Sequence, residues 1–391
     1  MNFKLSKIFS NLFALSLAAP ILSPYADGVT LYLYVIIPLI DPEFYGWIWK
    51  KYFATDLSIT IFLSCLLAIV SSPKWGIQIL CMILVIQYAL YLIENNNFPL
   101  MRYINISIFF AVAQLTGTLF LPNINQYIGP TGISHMIWGS LSTITNQNFY
   151  AISIDILPRV SGLSREAGFL ASLLVTSLLF YMSNYNKHNL WQIAWILLGL
   201  FISFSKISFS LLIIALIWPL RKVINKIPIP LTLLSFFIIS ALVSEELYNL
   251  NILASQQTFM DRFNGYRIPF EISLYNLIFG MKFNYFRHHY SFLPLSQYYI
   301  NLVHMGNGIS FSVLYFGLAI TIIFVFMLYF LKIRSFPLIG LLIATFDVTP
   351  ATLDSMVVVA WLYVVIQSRK INSAECRARM DQIAETMASA P

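Results

Sequence analysis

"PRVSGLSREAGFLASLLV", residues 158–175, sets Arg159, Arg165 and Glu166 immediately before a long apolar run. The rest of the chain avoids charge: of 391 residues, 10% are Asp, Glu, Lys or Arg, against about 25% in an ordinary soluble domain. Hydrophobic residues make up 59% and the mean hydropathy is +0.76. The run from Ala167 therefore reads as a membrane span, and the three charges stand at its threshold. This balance excludes a soluble enzyme. The net charge of +7 accompanies nothing that resembles a nucleic-acid module.

A helix crosses bilayer hydrocarbon with about 20 residues, and apolar segments near that length recur from end to end. They cover about Ile8–Tyr25, Thr30–Trp49, Leu57–Ser72, Gly76–Leu92, Ile104–Leu121, Ala167–Ser183, Leu190–Phe204, Ile207–Leu220, Ile229–Val243, Ile309–Leu331, Phe336–Phe346 and Thr349–Gln367. The expected class is all-α, a polytopic membrane protein of about 12 transmembrane helices. The eleventh segment is short and broken by Pro337, and Pro350 follows it, so it also reads as a half-span. Residues 1–367 form one transmembrane domain on this reading, and 368–391 a cytoplasmic tail. The tail turns abruptly to Ala, Arg and Met in "SAECRARMDQIAETMASAP", a short helix or an added remnant.

Short loops rich in Lys and Arg stay on the cytoplasmic side. Lys4, Lys7, Lys50, Lys51, Arg102, Lys187, Arg221, Lys222, Lys226, Lys332, Arg334, Arg369 and Lys370 all fall on one side under the twelve-span count. The two long polar stretches, 122–166 and 245–308, then face outward. Lys4, Lys7 and "SLAAP" also fit a cleaved signal peptide, but a retained first span keeps the parity. Cys65 and Cys81 sit within spans and Cys376 in the tail, so no disulfide or metal framework is expected.

Arg159, Arg165, Arg262, Arg267, Lys282 and Arg287 lie in the outward stretches, against the positive-inside preference. Taken singly each is an ordinary loop charge. As a set near span ends they suit an anionic ligand, because a guanidinium grips phosphate oxygens bidentately and keeps its proton. The helix opening after Ser164, with Glu166 in its first turn, would add free N–H groups and a positive dipole end.

Arg159, Gly162 and Glu166 in "RVSGLSREAGFLASLL" resemble the "R-x-x-G-x-x-x-E-P" signature of bacterial polysaccharide polymerases of the Wzy type and their relatives, the O-antigen ligases. Ala167 stands where Pro is usual. "ISFSKISFSLLIIAL" resembles the family's Ser-Arg turn between spans, with Lys206 in place of Arg. "FMDRFNGYRIPFEISLYNLIFGMKF" is similar to its amphipathic outer segment, Arg262 or Arg267 being the leading Arg and Gly280 the turn, at a longer spacing than usual. "SQYYINLVHMGNGISFSVLYFGLA" follows as the returning helix, with Ser296-Gln297 where the ligases carry His-Asn. That departure favours polymerase over ligase.

The resemblance implies a metal-independent glycosyltransferase of the GT-C class in the bacterial inner membrane, with its active site facing the periplasm and no cofactor. It would extend surface polysaccharide from undecaprenyl-pyrophosphate-linked repeat units, in partnership with the bilayer, a chain-length regulator protein and no nucleic acid. Arg159, Arg165, Lys206, Arg262, Arg267 and Arg287 become candidates for the pyrophosphate, with most weight on Arg159 and one of Arg262 or Arg267. Outer acids Asp155, Glu166, Glu245, Glu246, Asp261 and Glu271 show no D-x-D spacing for a divalent ion. The acceptor hydroxyl needs a base, for which Glu166, His288, His289 and His304 are candidates, His289 slightly preferred. Tyr266, Tyr290, Tyr298 and Tyr299 are candidate sugar platforms, as are Tyr285 and Phe286. Asp347 and Asp354 near the last outer turn are costly at that depth and read as arginine tethers or a proton path. Two alternatives stay open: an O-antigen ligase, and a flippase or transporter of lipid-linked oligosaccharide, although no internal repeat between the halves supports the latter.

Overall fold

The computed structural model describes residues 5–26, 29–51, 56–70, 73–121, 125–139, 142, 152–154, 157–184, 189–250, 252, 262–263, 265–281, 308–346, 348–349 and 352–388. The fold is α-helical. The strands among the described residues are two short antiparallel pairs in loops, β1 (Tyr25–Ala26) with β2 (Val29–Thr30) and β3 (Ile152–Ile154) with β4 (Leu157–Pro158). Six described helical stretches are long and apolar enough to cross a membrane: Pro73–Glu94, Leu100–Phe120, Ala167–Asn184, Lys206–Ile224, Ile229–Asn249 and Gly308–Phe330.

The chain packs as two compact units, Met1–Leu216 with Pro350–Leu362, and Ile217–Thr349 with Tyr363–Pro391. The first holds α1 (Leu5–Ala18), α2 (Leu33–Ile40), α3 (Pro42–Lys51), α4 (Asp56–Val70), α5 (Pro73–Glu94), α6 (Leu100–Phe120), α7 (Asn125–Ile128), α8 (Pro130–Trp138), α9 (Ala167–Asn184), α10 (Leu190–Ile202) and most of α11 (Phe209–Ile217). In the second are α12 (Arg221–Ile224), α13 (Ile229–Asn249), α14 (Leu274–Phe279), α15 (Gly308–Phe311), a π-helical turn (Ser312–Phe316), α16 (Gly317–Phe330) and α17 (Ser335–Ala344). The last helix, α18 (Ser355–Ala388), contributes to both.

Burial follows the logic of a lipid solvent. The α9 span, rich in Ala, Ser and Leu, is 83% buried, while the strongly apolar Lys206–Ile224 is only 17% buried. A helix that apolar and that exposed suits a hydrocarbon surround and not water. Small residues let neighbouring backbones approach α9 closely, and branched apolar ones face hydrocarbon. On α1 the buried face carries Phe13, Ala14 and Leu17, yet the opposite face is still apolar, with Leu5, Ile8 and Leu12 about half exposed.

Three expectations change at their edges. The Thr30–Trp49 span is two helices, parted at Asp41, whose extended backbone is what a residue preceding proline prefers. Asp41 is buried and its carboxylate accepts the Glu43 N–H at 3.0 Å and the Tyr88 hydroxyl at 2.8 Å. The helix expected after Ser164 starts at Ala167, so Glu166 caps it from outside: the Leu170 N–H donates to its carbonyl at 3.0 Å. The final helix begins at Ser355 and runs through Gln367 without a break into the expected tail.

Candidate anion-binding site

The segment from Arg159 to Glu166 is held by α6. Gln114, fully buried on that helix, accepts the N–H groups of Ser161 and Gly162 on Oε1 at 3.1 and 2.8 Å. Its Nε2 donates to the carbonyls of Gly162 and Ile128, each at 2.8 Å. Two turns earlier on α6, the Ser107 hydroxyl accepts the Leu163 N–H at 3.1 Å. Gly162 adopts φ +56, and a Cβ there would stand 2.6 Å from the Ser107 carbonyl. Glycine is required at this turn by both backbone conformation and space.

The same turn is stitched to the loop after α1. Ile21 N–H donates to the Leu163 carbonyl at 3.1 Å, and Ala19, Ile21 and Leu163 form a small buried cluster with Tyr25 at its margin. This brings Arg165 over two rings: its Cζ lies 4.7 Å from the Tyr25 centroid and 5.7 Å from that of Tyr32, both within cation–π range. Tyr32 stacks on Tyr34 at 5.1 Å and donates its hydroxyl to Asp354 Oδ1 at 2.6 Å. Tyr34 donates to the Leu353 carbonyl. Asp354, whose carbonyl accepts the Val357 and Val358 N–H groups as α18 begins, thus tethers an arginine platform through Tyr32. Asp347 lies outside the described residues.

Arg165 Nε and Nη2 are shielded from water and have no hydrogen-bond partner among the described residues; nor do the hydroxyls of Ser161 and Ser164. A buried donor left unsatisfied costs about 1–3 kcal/mol, and more when charged. Two donors of a planar fork, beside the positive end of the α9 dipole, suit an anion with two oxygens. Arg159 and Glu166 flank the turn, half-buried. Lys206 is exposed and opens a 3₁₀ turn (Lys206–Ser208) that packs against α9, after Phe204 at φ +46.

The second unit holds Arg262, Tyr266 and Arg267. Arg267 is already compensated: Nη1 lies 3.2 Å from Glu245, Nε donates to Glu271 at 3.2 Å, and Cζ sits 3.7 Å over the Tyr248 ring. Two carboxylates to one guanidinium leave that group net negative, which corrects its expected role as a pyrophosphate ligand. Tyr266 is corrected too. Its ring is fully buried, parallel to Phe346 at 5.7 Å and against Phe237 at 5.4 Å, leaving no face for a sugar. Burial raises its hydroxyl pKa well above the ordinary phenol value, so it remains a neutral core residue. Lys282, Tyr285, Phe286, Arg287, His288, His289, Tyr290, Tyr298, Tyr299 and His304 lie outside the described residues.

Gln114, Tyr25 and Tyr32 were not legible as site residues. Gln114 carried one signal, a polar side chain in mid-span in "FFAVAQLTG", where an unpaired amide is costly. The two tyrosines carried none, because interfacial tyrosines are common. No family model matches the chain, and no curated protein or solved structure matches it.

Proposed function

We propose that the chain is a membrane glycosyltransferase of the GT-C class, of about 12 spans, that polymerises undecaprenyl-pyrophosphate-linked repeat units on the periplasmic face of the bacterial inner membrane. The observation that carries the reading is Arg165, stacked on Tyr25 and Tyr32 with two shielded donors that no protein group accepts among the described residues. In the reaction the bond from the anomeric carbon to the pyrophosphate oxygen breaks and its electron pair leaves with the diphosphate. The acceptor hydroxyl oxygen bonds that carbon and yields its proton to a base. A preorganised guanidinium in a partly dry pocket stabilises the charge that grows on the leaving oxygens. Arg159 and Lys206 assist. Glu166, His288 and His289 are the base candidates, and Tyr290, Tyr298 and Tyr299 the sugar contacts.

Mass spectrometry of lipid-linked glycans in a deletion strain tests the assignment. Loss of a polymerase leaves lipopolysaccharide with single repeats. Polymer accumulating on the polyprenyl carrier would instead identify a ligase, and single units trapped inside the cell a flippase.

A further inference from the structure

The second unit contains a cavity of about 460 Å³ at its basic end, where α13 begins and α16 ends. It is formed by the α12–α13 link, the α16–α17 link and Asn372 of α18. Lys226, Lys332 and Arg334 contribute three cations, and among the described residues no Asp or Glu lines it. Short basic loops assign this end to the cytoplasm. A topology signal alone would need only solvated charges. Here the walls are built: Arg334 Nε donates to Asn372 Oδ1 at 2.6 Å, Asn372 Nδ2 donates to the Lys332 carbonyl at 3.0 Å, and the Arg334 N–H donates to Ser368 at 2.9 Å. Across the cavity, the Ser335 hydroxyl donates to the Ile227 carbonyl at 2.6 Å and the Phe336 N–H to Asn225 Oδ1 at 3.0 Å.

An apolar track leads into this basic cavity. On α16, Ile322, Phe326 and Phe330 recur every fourth residue and are 51%, 54% and 68% exposed, and Phe330 itself lines the cavity. Residues four apart share one helix face. A ligand matching both features carries a phosphate at one end and a hydrocarbon chain at the other. We infer that the cavity binds the phosphate headgroup of an anionic phospholipid of the cytoplasmic leaflet, its acyl chain lying along Ile322, Phe326 and Phe330. The site is separate from glycosyl transfer and does not depend on it.

The test counts lipids retained by the purified full-length protein in native mass spectrometry, after incubation with dioleoylphosphatidylglycerol or dioleoylphosphatidylcholine. Phosphatidylglycerol is expected to be retained preferentially. Near an anionic headgroup each basic side chain is worth about a fivefold change in affinity, so Lys226→Gln/Lys332→Gln should bind about 25-fold more weakly. Both lysines are exposed, so this variant should elute as wild type in gel filtration. Arg369→Gln/Lys370→Gln, two exposed charges outside the cavity lining, should stay within about twofold of wild type. Equal retention of the two lipids overturns the proposal. So does equal loss in both variants, which would mean a diffuse surface potential. Displacement of the lipid by excess inorganic phosphate would assign the cavity to a soluble anion and overturn the lipid.

Discussion

Gln114 holds Gly162 from both sides of the peptide, accepting its N–H on Oε1 at 2.8 Å and donating from Nε2 to its carbonyl at 2.8 Å. Gln114→Leu keeps the size of the side chain but strands two buried N–H groups and the Gly162 carbonyl, and removes the donor to the half-buried Ile128 carbonyl. At about 1 kcal/mol or more per stranded group, stability should fall by about 3 kcal/mol. Thermal unfolding in detergent, followed by intrinsic fluorescence, measures it. An unaltered melting curve would remove Gln114 from the support of the turn.

Gly162 has a positive φ of +56 and is crowded: a Cβ placed on it would stand 2.6 Å from the Ser107 carbonyl. The conformation alone makes a change to Ala cost roughly 1–2 kcal/mol. Gly162→Ala must also displace the Ser107 carbonyl. Thermal unfolding should therefore show a loss above that conformational cost, and a loss of about 1 kcal/mol would show that the close approach to α6 carries no energy.

Arg165→Ala should lower polymer yield about 100-fold or more while the protein still reaches the membrane, in keeping with loss of one preorganised charge contact. Arg165→Lys should restore little, because an ammonium lacks the planar fork and stacks poorly on Tyr25 and Tyr32. Chain-length gels of surface polysaccharide, with immunoblots of membranes, read both effects. Normal polymer in Arg165→Ala would detach this residue from the chemistry.

Arg267→Ala should act on folding. It leaves Glu245 and Glu271 without their shared cation and uncovers Tyr248, so the melting temperature should fall, and Glu271→Gln should fall less because Glu245 still neutralises the guanidinium. A variant with wild-type stability but no polymer would return Arg267 to the substrate.

Activity in washed membranes should survive EDTA. Among the described residues no cluster of His, Cys, Asp or Glu could hold a metal ion, and the acids of residues 122–166 and 245–308 lack D-x-D spacing. Restoration by added Mg²⁺ after chelation would count directly against charge stabilisation by arginine.

Each of the twelve apolar segments carries helix, and six described stretches are long and apolar enough to cross a membrane; that much is legible because helix length and hydropathy depend on residues adjacent in the chain. Pro42 parts the Thr30–Trp49 segment at Asp41, because the residue before a proline avoids helical backbone. The same composition settled that the molecule belongs in a membrane, and the charge pattern singled out the turn around Gly162. Tertiary structure decided what surrounds each arginine. Arg165 and Arg267 look equivalent as letters, yet one lies over tyrosines with two donors unclaimed and the other is bracketed by carboxylates. The difference rests on contacts such as Tyr32 to Asp354, 322 residues apart, and Gln114 to Gly162, 48 apart. Helical periodicity orders neighbours three and four residues away; separations of this size are set only when the helices pack.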